Sequence, residues 1–125
     1  MTMFEEELKL LDEKFGSGKD NLVAFATVSL NPVNGNPKPV VREVDAHYED
    51  GVFYVTTSAQ SCKIKQIEKN PQIAFAVSGQ WFTGIGTGEN LGWVMKKENA
   101  ELRAKLRKTF SEWYDMANNE KDENC

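Results

Sequence analysis

The stretch REVDAHYEDGVFYVTTSAQSCKIKQIEKNPQIAFAV, residues 42–77, decides the fold. It opens inside a strand, residues 39–48, PVVREVDAHY. Asp50-Gly51 is a pair that tolerates the positive φ angles of a two-residue hairpin, so the chain turns back into a strand at 52–57, VFYVTT. Ser58 or Ser61 can cap the short helix that follows, with Ile64 and Ile67 facing inward. Asn70-Pro71 ends it, because a residue before proline avoids the helical region. QIAFAVSG, residues 72–79, then reads as another strand.

The flanks extend this pattern. LVAFATVSL (22–30) reads as a buried strand, and NPVNGNP (31–37) is turn chemistry around Asn34-Gly35. WFTGIGTGE (81–89) supplies a fifth strand. Before the strands, Phe4, Leu8, Leu11 and Phe15 mark a helix over 4–15, which Gly16, Ser17 and Gly18 end. After them, Leu102, Leu106, Phe110 and Trp113 form the stripe of a helix over 96–116, and ANNEKDENC is a polar, loose tail. Five strands joined mostly by tight turns predict a mainly β fold, an antiparallel sheet closing on itself as a barrel with flanking α-helices. At 125 residues the chain suits one domain, 1–125, with the barrel at 22–90.

Composition narrows the function. Hydrophobic residues are 40% and charged residues 27% of the chain, the balance of a folded globular protein. No apolar run reaches the roughly 20 residues that span a bilayer. The acidic amphipathic start lacks the features of a signal peptide, so the expected address is the cytoplasm. The net charge of −4 and the lack of a basic cluster argue against nucleic acid. Cys62 and Cys125 make neither a disulfide framework nor a zinc site, and one histidine, His47, rules out a His-rich metal site.

The candidate site comes from a broken alternation. Val40, Arg42, Val44, Ala46 and Tyr48 share one face of their strand; Val41, Glu43, Asp45 and His47 share the other, with His47 read as exposed. Arg42 is the one charge in the apolar row, and a buried guanidinium needs an anion, either a protein carboxylate or a ligand phosphate. The hydroxyls Thr56, Thr57 and Ser58 precede Ser61, Cys62 and Lys63 at a helix start, where free N–H groups favour anions. Together these residues make a phosphate cradle. A structural ion pair of Arg42 and a simple strand end with a cap are the plainer readings. GIGTGEN (84–90) matches neither dinucleotide-binding nor Walker loops; its alternating glycines make room for a neighbouring backbone or a flat ligand. Trp81, Trp93 and Trp113 read as core or dimer contacts, and Trp81 can border a planar cofactor.

Residues 22–90, and above all Ser-x-Lys followed by Gln-Ile-x-x-Asn-Pro, resemble the flavin-binding core of pyridoxamine 5′-phosphate oxidase-like proteins, the small general stress protein branch in particular. The resemblance implies a homodimeric split β-barrel with FMN in a cleft between subunits. It implies Arg42, Ser61 and Lys63 on the flavin phosphate and Val44, Thr56 and Thr57 along the flavin. Glu43 and Cys62 fall beside these positions, and Trp81 near one that reaches the ring from the other subunit. Cys62 stands where the oxidases usually carry arginine; a bidentate arginine contact is worth roughly 1.5–3 kcal/mol, so affinity falls by about tenfold or more. The oxidases' Arg-x-His segment and the family's last barrel strand are not found up to Cys125, which argues against pyridoxamine phosphate oxidation and leaves that strand unaccounted for. Three functions follow as expectations. The first is an FMN-dependent oxidoreductase or flavin reductase for a small molecule, with NADH or NADPH as the candidate reductant. The second is a non-catalytic binding or sensing module for FMN, haem or a deazaflavin. The third is a barrel without ligand.

Overall fold

The computed structural model describes residues 2–31 and 33–125, so Pro32 of the expected 31–37 turn lies outside the described residues. Thr2 and Glu5 form a reciprocal capping box that starts helix α1, Met3–Phe15. Phe15 is buried and Leu8 and Leu11 half-buried, but Phe4 at the head of the expected stripe is exposed.

The strands are β1 (Asn21–Val28), β2 (Pro39–Glu49), β3 (Val52–Tyr54), β4 (Gln72–Val77) and β5 (Phe82–Thr87). They form one antiparallel sheet in the order β3-β2-β1-β4-β5. Both turns expected to need positive φ have it: Asn34 and Gly35 at 52° and 77°, Asp50 and Gly51 at 48° and 83°. Helix α2, Cys62–Lys69, links β3 to β4. The sheet curls into a half-barrel, with Phe15, Tyr48, Phe53, Phe75 and Phe82 in edge and tilted aromatic contacts at one end of its interior. It does not close fully. The strand order leaves β3 and β5 as edges, and β5 has no ladder partner beyond β4 among the described residues.

Several elements are shorter than the sequence pattern suggests. The third strand leaves the ladder after Tyr54, and 78–81 form the turn between β4 and β5. The expected helix over 96–116 is broken into a 3₁₀ turn (Lys97–Asn99), α3 (Ala100–Thr109) and α4 (Tyr114–Ala117). The break falls in Thr109–Tyr114, a run rich in β-branched and aromatic residues of modest helix propensity. It lets Phe110 stack on Trp113 and buries Leu106, Phe110 and Tyr114 as a second cluster.

The tail is not loose. Arg103, Arg107 and the Tyr114 hydroxyl all donate to the Glu120 carboxylate. Asn124 O accepts from Ala59 N at 2.7 Å, and Cys125 O from Val94 N at 2.9 Å. No described helix is long and apolar enough to cross a membrane.

Candidate functional site

Strand alternation puts Arg42 on the inner face of β2, in one row with Val44, buried Ala46 and buried Tyr48. Its partners are neutral. Nη1 donates to Thr27 Oγ1 at 2.7 Å and to the Phe25 carbonyl at 3.5 Å, and Nη2 donates to Gln66 Oε1 at 3.0 Å. The guanidinium also lies over the Phe25 ring, 5.0 Å from its centroid. The Thr27 hydroxyl donates to the same Gln66 oxygen, which joins β1, β2 and α2. The anion expected opposite Arg42 is therefore not a protein carboxylate: no ion pair forms at Arg42 or Lys63 among the described residues.

Lys63 sits in the first turn of α2. Burial lowers its pKa, and the nearby Arg42 charge lowers it further. Burial likewise lowers that of Arg42, partly offset by Cys62. Two neighbouring cations without a counter-charge make a region of positive potential. Ser61 occupies the N-cap of α2 yet makes no side-chain cap bond. Its Oγ and Thr56 Oγ1 are buried without a partner. The two orphaned hydroxyls and the free N–H groups of the first helical turn are donors of the kind an oxyanion takes, and the two cations supply the opposite charge. The residues present thus fit a phosphate.

Not every expected residue joins the cradle. Val44 and Thr57 line the adjoining barrel interior with Thr56 and Lys63. Cys62 is exposed beside Lys63. Glu43 points to the outer face, where it accepts from the Ser78 hydroxyl at 3.1 Å. Trp81 is fully exposed on the 78–81 turn with φ of 54°, so within one chain it is neither core nor part of the cradle. Thr27 was not singled out by the sequence, and Gln66 entered only as the first residue of the Gln-Ile-x-x-Asn-Pro motif, without a role at the site. Their one signal is that Thr27 interrupts the apolar row Val23, Phe25, Thr27, and Gln66 lies one helical turn from Lys63.

His47 was read as exposed and is 6% exposed. Helix α3 covers it, and Nδ1 pairs with Thr109 Oγ1 at 2.8 Å while Nε2 has no partner. Burial lowers its pKa. On the same face, burial and the adjacent Asp20 carboxyl push Asp45 up to about 6.

Of the alternating glycines, Gly84 and Gly88 make room for neighbouring side chains, and Gly86 lines the cavity with nothing against it. A Cβ at Gly84 would come 2.6 Å from the Phe75 ring, and one at Gly88 3.2 Å from Ile67, while Gly86 faces open space. The half-barrel interior holds a cavity of about 720 Å³. It opens to solvent along the unclosed side of the sheet.

Compared with models of known protein families and with curated proteins, the sequence matches none.

Proposed function

We propose that this chain binds FMN, with the phosphate held by Arg42, Lys63, Ser61 and Thr56, and that it works as a flavin-dependent oxidoreductase or flavin reductase on a small molecule. The observation that carries the reading is two neighbouring uncompensated cations together with two buried, unpartnered hydroxyls, Ser61 at the N-cap of α2 and Thr56 beyond β3. Bound FMN would supply the redox chemistry, and hydride transfer at its ring needs no acid or base from the protein. The chain's own task is to hold the phosphate and orient the ring. Thr27 and Gln66 fix the Arg42 guanidinium in place for that contact.

A homodimer is part of the proposal. The outer sheet face carries Ala24, Ala26, Ala74 and Ala76 with Val41 at 67% and Ile85 at 87% exposure. A smooth apolar face of this kind suits a second copy. Trp81, fully exposed on the turn that leads into β5, would then be free to reach the partner's flavin, as the family resemblance suggests.

Calorimetric titration with FMN, together with the absorbance of the purified protein, tests the reading. Arg42→Ala and Lys63→Ala are each expected to weaken binding by about tenfold or more. A colourless protein that ignores added FMN would overturn it. Steady NADH or NADPH oxidation by the loaded protein separates an enzyme from a carrier.

A further inference from the structure

We propose that the interior of the half-barrel binds an elongated apolar monoanion of the long-chain carboxylate class, its chain along the inner wall and its head on Lys63 and Thr56. This site goes beyond the flavin reading. It is the cavity itself, which runs from Lys63 of α2 to Leu11 of α1.

The wall sets the chemistry of the body. Val23, Phe25, Val44, Ile64, Ile73 and Phe75 all line the space, and its volume of about 720 Å³ lies within the usual range for small-molecule pockets. A hydrocarbon chain laid along these side chains buries apolar surface that water would otherwise cover, while the polar residues of the lining, Lys63 and Thr56 among them, are left for the head group.

The rim sets the chemistry of the head. The charged residues that line the cavity are Lys63, Arg103 and Glu89. Arg103 is already paired with Glu120, and Glu89 is exposed and makes no ion pair with Lys63. Lys63 therefore faces the apolar space as an uncompensated cation, with the buried, unpartnered Thr56 hydroxyl on the same wall. One carboxylate answers both. A neutral apolar ligand would leave both unanswered.

Because the flavin reading also uses Lys63, the two ligands would compete, and the amphiphile would limit flavin occupancy. The probes are cis-parinaric acid and its methyl ester, followed by fluorescence below their aggregation concentrations on the full chain. The acid should bind saturably, one per chain, and FMN should displace it. Lys63→Met should weaken the acid by about tenfold while leaving the ester unchanged. Val44→Trp or Ile73→Trp, whichever retains the native circular dichroism spectrum, should fill the space and weaken both probes. Absence of saturable binding to the folded protein would overturn the site. Equal affinity for acid and ester, untouched by Lys63→Met, would overturn the assignment of the head. If FMN fails to bind while the acid still does, only the flavin reading falls.

Discussion

At the scale of single residues, Lys63 and His47 are the two groups whose protons matter most. Lys63 must be charged to hold an anion, and burial and Arg42 have lowered its pKa from 10.5. Raising the pH from neutrality should therefore weaken FMN binding before the ordinary lysine range is reached, and Lys63→Met should remove that alkaline limb of the titration. His47 acts on stability. Its folded pKa lies below 6.5, so the unfolded chain takes up a proton first as the pH falls. Stability is complete above about 6.5 and declines below it. Asp45, raised to about 6, has the opposite sign, since the folded state then holds the extra proton and gains stability between about 6 and 4. The two titrations overlap around pH 6 with opposite signs, so the His47 part is read by difference: as the pH falls through about 6.5, urea midpoints of the parent should drop relative to those of His47→Gln. The two residues also differ in how legible they were. Arg42 and Lys63 stood out because a charge in an apolar row and a lysine at a helix start are local patterns. His47 was misplaced because helix α3, some sixty positions away in sequence, covers its face, and strand parity carries no information about what packs on top.

At the scale of elements, β5 shows why glycine spacing alone misleads. Gly84 and Gly86 share one face of the strand, but only Gly84 has an aromatic ring pressed against it. Gly84→Ala should destabilise by about 1–3 kcal/mol because Phe75 is wedged among Phe53 and Phe82 and must shift. Gly86→Ala should stay within about 0.5 kcal/mol of the parent, since its Cβ meets nothing. Chemical denaturation of the pair measures the contrast. The hairpins at Asn34-Gly35 and Asp50-Gly51 were readable because a dipeptide determines its own φ angles. The tail was not. Glu120 is one acid among several in a polar run, and only the folded approach of Arg103, Arg107 and Tyr114 singles it out.

At the scale of the whole molecule, the strand count and antiparallel order follow from local signals, whereas the degree of closure and the interior space are sums over the entire sheet that no short window contains. The outer face makes the clearest global forecast. Ile85→Glu should convert a dimer to a monomer in sedimentation velocity and reduce FMN affinity in parallel; a monomeric parent, or a dimeric variant, would refute the assignment of that face. The open edge of β5 has a separate consequence. Residues 82–87, FTGIGT, carry no charge and no proline, and their outward backbone groups are an unguarded template for strand pairing. Crowded chains would stack there edge to edge, so the protein's shelf life in concentrated solution depends on what protects that row of amides.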